Sequence, residues 1–141
     1  MKVIIAGSRK GITLADVYAA VEESGFEITE VISGCAPGAD TLGEQWAKEN
    51  KIPVKSMPAD WDDLSHPDAV IKVNERGKEY DARAGYRRNV KMADYAKEHK
   101  GGLIALRVPY RFKSNGTDDM MAIAKEKDLE WYVKVVEHAS L

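Results

Sequence analysis

The residues of this chain best suited to chemistry are short clusters of small and basic side chains. Gly7-Ser8-Arg9-Lys10 follows the apolar run Val3-Ile4-Ile5-Ala6, and Ser33-Gly34-Cys35-Ala36-Pro37-Gly38-Ala39-Asp40 follows Val31-Ile32. In both places a short apolar run ends abruptly in turn-forming residues and a helical pattern takes over. Strand–glycine loop–helix units of this kind present backbone N–H groups and helix N-termini to an anion. Arg83, Arg87, Arg88 and Asn89 precede and open a third helical pattern, and Ser114-Asn115-Gly116-Thr117 opens a fourth, after Arg107, Arg111 and Lys113. Trp61, after a third strand-like piece, is an aromatic that can stack on a base. The chemistry these residue types share is recognition of a phosphate-bearing small molecule.

Each has a plainer reading. Gly7 and Gly34 serve equally well as tight strand-to-helix turns. Gly116-Thr117-Asp118 reads as a helix start with Thr117 as N-cap. Arg87-Arg88 reads as a solvated pair. Trp61, Trp46 and Trp131 read as core. Cys35 has no partner at metal-ligand or nucleophile spacing and reads as inert. His66, His99 and His138 share no ligand spacing and read as surface residues. What outweighs these readings is coincidence, because the small and basic motifs all follow strands and so fall on one rim.

The elements that must position them alternate. Strands are expected over Lys2–Ala6, Glu30–Ser33, Pro53–Met57, Gly102–Leu106 and Trp131–Val136, and helices over Thr13–Ser24, Asp40–Asn50, Tyr86–His99 and Thr117–Lys127. Thr13 and Asp16 form a capping-box pattern, Leu14, Val17, Tyr18 and Val21 an apolar stripe, and Gly25 a stop. Ala59–Arg83 breaks the rhythm, and its length marks 62–83 as an insertion: a functional loop, lid or small hairpin. The expected architecture is α/β: a single Rossmann-like three-layer domain over 1–141, with a five-stranded, mainly parallel sheet and an inserted loop or hairpin after the third strand. Its ligand crevice lies beyond the carboxyl ends of the strands, where the strand order reverses.

Composition narrows the class. With 141 residues the chain supports one core. There is no run of about eighteen apolar residues to span a membrane. Met1-Lys2 leads straight into a strand with no signal-peptide layout, and the lone Cys35 excludes an internal disulfide framework, so a cytoplasmic setting is expected. A net charge of −2 argues against nucleic acid as a partner. The basic residues crowd one rim while Glu22-Glu23 and Glu44 make helix surfaces acidic, which suits a small anion. No spacing identifies a metal site, and no cofactor is expected.

Taken together, the motifs resemble those of the SLOG superfamily, named for Smf/DprA and the LOG proteins, and most closely its YspA-like branch. The branch pattern is a G-S-R (Gly7-Ser8-Arg9), an S-G-G-A-x-G-A-D loop (Ser33 to Asp40), an A-D-W (Ala59-Asp60-Trp61), an A-G-x-x-R-N-x-x-M (Ala84 to Met92) and an S-x-G-T (Ser114 to Thr117). The resemblance runs from about Lys2 to Val136. It implies a Rossmann-like sheet that binds nucleotides or nucleotide-derived molecules, with dimers or tetramers common in the superfamily. It implies ligand contacts from Gly7, Ser8, Arg9, Ser33, Gly34, Cys35, Gly38, Ala39, Asp40, Trp61, Arg88, Asn89, Ser114, Gly116 and Thr117.

The enzymatic LOG branch resembles phosphoribohydrolases that cleave the base–ribose bond of nucleoside monophosphates. Its R-K-x-x-M aligns with Arg88-Asn89-Val90-Lys91-Met92, which keeps the arginine and loses the lysine. Its P-G-G-x-G-T-x-E-E aligns with Ser114 to Met120, which lacks the P-G-G and carries Asp119 where the catalytic glutamate stands. Arg88 and Asp119 are therefore the catalytic candidates by resemblance, with Asp119 one methylene short of the group the chemistry needs near the anomeric carbon. Cys35 takes the place of a glycine, Pro37 stiffens the same loop, and the loop Arg107–Lys113 is basic and aromatic. The leading expectation is a binder of a nucleotide-derived small molecule, such as an ADP-ribose-like signal or a nucleoside phosphate. The alternative is an N-glycosidic hydrolase, and single-stranded nucleic-acid binding by analogy with DprA ranks last.

Overall fold

The sheet follows from the continuous apolar runs of its central strands. In the computed structural model, which describes residues 1–138, β1 (Lys2–Gly7), β2 (Glu30–Ser33), β3 (Val54–Ser56), β6 (Gly102–Arg107) and β7 (Glu130–Val135) form one sheet in the order β3-β2-β1-β6-β7, every pair parallel. The helices α1 (Leu14–Ser24), α2 (Ala39–Glu49), α3 (Ala84–Glu98) and α4 (Asn115–Glu126) complete a Rossmann-like three-layer α/β fold. Successive side chains of a strand point to opposite faces. Val3, Ile5, Val31, Ile104 and Leu106 therefore pack with Val17, Ala20, Trp46 and Ala47 of α1 and α2. Ile4, Ala6, Ile32, Leu103 and Ala105 pack with Met92, Ala93, Ala96, Met120 and Ile123 of α3 and α4. Both layers are buried, as a parallel sheet requires.

Local signals account for the boundaries. Thr13 caps α1 in a complete capping box with Asp16, and Gly25 ends the helix in a left-handed conformation at φ 71°. Other expectations need correction. The N-cap of α4 is Ser114, and Thr117 lies buried inside its first turn. Trp131 is 48% exposed on the edge strand β7, with Lys125 Nζ over its ring 4.5 Å from the centroid. Trp61 is also not core, being 36% exposed.

The segment after β3 contains a hairpin, β4 (Ile71–Val73) paired antiparallel with β5 (Glu79–Asp81), separate from the main sheet. It is held by the buried carboxylate of Asp81, which accepts N–H bonds from Val70 at 3.0 Å and Arg83 at 2.9 Å and an ion pair from Arg87. Arg87 also reaches Asp68 at 2.5 Å. Burial pushes the Asp81 carboxyl up, but the Arg87 guanidinium and the two N–H donors outweigh it and hold the group at about 2. Arg87 is thus structural rather than a solvated charge. No helix among the described residues is long and apolar enough to cross a membrane.

Winding runs from β1 outward through β2 and β3 and then reverses to β6 and β7, so the strand order switches between β1 and β6. Here the two backbones come unusually close. A Cβ on Gly7 would lie 2.0 Å from the Leu106 carbonyl oxygen, which also accepts the Ser8 N–H at 2.9 Å. No side chain fits at position 7. Gly7→Ala is expected to cost about 3 kcal/mol or more of stability, because neighbouring backbone cannot yield as a flexible side chain can. Urea denaturation measures it, and a loss below about 1 kcal/mol would contradict the contact.

Candidate functional site

The crevice at the switch point is assembled from loops that hold one another. Ser8, 5% exposed, accepts the Val108 N–H on its Oγ at 3.1 Å and shares a hydrogen bond with Ser114 Oγ at 3.0 Å. Ser114 in turn donates to Thr117 Oγ1 at 2.8 Å. This row of hydroxyls ties the end of β1 to the start of α4. No side chain caps α4, and its first return bond is from the Asp118 N–H to the Ser114 carbonyl at 3.0 Å. The N–H groups of its first turn, at Asn115, Gly116 and Thr117, therefore stand beside the crevice these residues line.

The second glycine loop serves mainly as scaffold. Gly38 sits at φ 84°, and a Cβ there would meet Arg9 Cα, Arg9 O and Ser8 O at 2.5 Å. Ala39 spends its N–H on the Ser8 carbonyl at 3.2 Å. Ser33 donates to Glu44 Oε2 at 2.5 Å and accepts the Cys35 N–H at 3.1 Å. Ser33, Gly38 and Ala39 thus shape the loop and lie outside both cavities of the site. Gly34 leaves the space through which Arg88 passes, since a Cβ would lie 2.5 Å from its Nη1. The Gly34 carbonyl accepts that Nη1. Cys35 occupies the left-handed region at φ 62°, a conformation that favours glycine.

Helix α3 supplies Arg88 and Asn89. Arg88 Nε donates to Asn89 Oδ1 at 3.0 Å, and Asn89 Nδ2 donates to Asp119 Oδ2 at 2.9 Å. Asp119 is therefore placed behind Asn89 and does not line the crevice. The carboxylate that does is Asp40, 5% exposed, with Oδ2 accepting the Ala36 N–H at 3.2 Å. Burial pushes Asp40 up to about 6, against the pull of that N–H and of Arg88. Burial likewise lowers Arg88, against the attraction of Asp40.

The resulting cavity measures about 660 Å³. Arg9, Lys10, Arg88 and Lys113 line it against the single carboxylate Asp40, and Met92, Met120, Val108 and Phe112 give it an apolar wall. Its size and mixture of apolar wall with a few polar groups suit a small-molecule ligand. A second pocket of about 200 Å³ shares Arg9, Ala36 and Arg88 and adds Gly34, Cys35 and Trp61. Trp61 is thereby placed in the smaller pocket and not over the larger.

Two loop cations fall outside the site. Arg107, 2% exposed, grips Asp118 through Nε at 2.6 Å and Nη2 at 2.8 Å, and its Nη1 donates to the carbonyls of Val108, Pro109 and Phe112. It folds the β6–α4 loop around itself. Arg111 pairs with Glu137 on the surface. The apolar wall went unnoticed in sequence terms, although Met92 stands four residues after Arg88 and Met120 three after Thr117, the spacings that share a helix face.

Residues 1–63 match the family model described as YspA, cpYpsA-related SLOG family. The match supports the SLOG superfamily and its YspA-like branch. No curated protein matches the chain.

Two variants test this geometry. Cys35→Gly relieves the left-handed conformation and should stabilise the protein by about 1 kcal/mol in thermal or urea unfolding. Asp40 has a raised folded-state pKa, so its contribution to stability is present in full below about pH 4 and is lost as pH rises through about 6. Asp40→Asn should match the parent near pH 4 and exceed it by about 3 kcal/mol above pH 7. A stability difference independent of pH would refute a carboxylate whose burial outweighs its partners.

Proposed function

We propose, from the SLOG assignment supported by residues 1–63, that this protein binds a nucleotide or a nucleotide-derived small molecule at the carboxyl ends of β1 and β6. An ADP-ribose-like signal and a nucleoside phosphate both fit this description. The observation that carries the reading is the charge of the larger cavity: four cationic side chains and the uncapped first turn of α4 face one buried carboxylate. Phosphate oxygens meet Arg9, Arg88 and the N–H groups of α4, and an apolar wall of Met92 and Met120 takes the base. Asn89 has its amide committed to Asp119, so a ribose hydroxyl meets Asp40 before it meets Asn89.

Isothermal titration against nucleoside mono- and diphosphates and ADP-ribose is the direct measurement. Arg9 is exposed and has no hydrogen-bond or ion-pair partner among the described residues, so Arg9→Ala leaves the fold intact. Arg9→Ala should weaken binding about tenfold or more, the loss of about 1.4 kcal/mol expected for a charge-assisted contact. Absence of binding by every compound would overturn the proposal.

Hydrolysis of an N-glycosidic bond is a second reading, favoured by one feature: the cavity contains a buried carboxylate poised near pH 6 beside an arginine. Water would add to the anomeric carbon, the bond to the base would break, and the base would leave carrying a proton. Arg88 holds the phosphate in this scheme. Asp119, hydrogen-bonded to Asn89 outside the cavity, acts only through that residue, and Asp40 is the carboxylate within reach. Release of free base from nucleoside monophosphates, lost in Asp40→Asn and kept in Asp119→Asn, would establish it.

A further inference from the structure

The two pockets of the site meet along Arg9 and Arg88, and the smaller one has a construction of its own. Its aromatic wall, Trp61, is placed by the insertion. The Trp61 carbonyl accepts the Asp81 N–H at 2.9 Å, and its ring stands edge-on to Tyr80 with centroids 6.3 Å apart. The ring also lies against the start of α3, where a Cβ on Gly85 would come within 2.8 Å of Cη2. Pro58 and Pro37 line the same pocket and stiffen it. The face of Trp61 that closes the pocket is therefore set by packing on several sides, and the tryptophan is still 36% exposed.

We propose that this smaller pocket is a sugar subsite, and that the ligand is a nucleoside diphosphate whose terminal phosphate carries a further sugar ring. The inference rests on the nucleotide reading of the larger cavity. Arg9 and Arg88 line both pockets, so an anion on them lies between the two, where a diphosphate bridge belongs. At about 200 Å³ against 660 Å³, the smaller pocket admits one ring and not a second nucleoside. Its wall is an indole with two prolines, a surface that takes the C–H face of a sugar, while Arg9 and the loop backbone meet the hydroxyls. The pocket has no carboxylate to repel the bridging phosphates.

The test compares nucleoside diphosphates of each base with their sugar-terminated counterparts, ADP against ADP-ribose being one pair, by isothermal titration on the full chain. The sugar-terminated member should bind at least tenfold more tightly. Trp61→Ala should abolish that difference and leave the diphosphate unchanged. Ala59→Trp, which fills the pocket without removing packing, should do the same, so a misfolded Trp61→Ala protein does not decide the matter. In a Trp46→Phe, Trp131→Phe background the remaining Trp61 fluorescence should change with the sugar-terminated ligand and not with the diphosphate. Equal affinity within each pair, or a difference that survives both variants, overturns the sugar subsite while the nucleotide reading stands. Failure of every compound to bind overturns both.

Discussion

The approach of β1 to β6 at Gly7 is the constraint on which the site depends. With no Cβ at that position, the Leu106 carbonyl can sit against the β1 backbone and still receive the Ser8 N–H. That contact sets Ser8 under the β6–α4 loop, where its hydroxyl receives Val108 and meets Ser114. The start of α4 is thereby drawn to the mouth of the switch point. Arg107 completes the arrangement, since its buried guanidinium donates to three carbonyls of the loop and holds Asp118 of α4. Cavity-lining residues on two separate loops are thus held in one place by this backbone contact.

The parts of this arrangement legible in the sequence are those written as periodicity or as a required backbone conformation. Val3, Ile5 and Ile4, Ala6 announce a strand buried on both faces; Thr13 with Asp16 announces a capped helix; Gly38 marks a turn. The side chains whose roles depend on a distant partner were not legible. Arg107, Arg87 and Arg88 are the same residue type in similar settings, yet one is a buried clasp, one anchors a hairpin and one lines a cavity. Which is which depends on Asp118, Asp81 and Gly34, contacts made across 11, 6 and 54 residues of chain. Trp131 misleads for a related reason: strand order, which decides whether a strand is an edge, cannot be read from the strand itself. Asp119 aligned by resemblance with the catalytic glutamate of the LOG branch, and in the structure it hydrogen-bonds Asn89 and does not line the cavity.

Asp40 and Cys35 show stability being given up on the cavity side of the fold. One keeps a carboxylate where burial opposes its charge, and the other keeps an L-residue in a conformation suited to glycine. Cys35 lies in the β2–α2 loop and Asp40 in the first turn of α2, a connection that Arg9 approaches at Gly38 and Arg88 at Gly34. Strain and unfavourable burial collect where a structure is shaped for something other than its own stability.

Arg87 and Arg88 are adjacent on α3, and consecutive residues of a helix project about 100° apart. The first is locked to the insertion through Asp81 and Asp68, and the second reaches the Gly34 carbonyl. The insertion therefore grips α3 one residue before the side chain that enters the cavity, adding a hold at the helix start to the one its apolar face makes with the sheet. Releasing Arg87 from Asp81 and Asp68 removes one hold on the turn of α3 from which Arg88 reaches the cavity. The insertion lines neither pocket, yet through Arg87 it bears on the placement of the neighbouring charge that lines both.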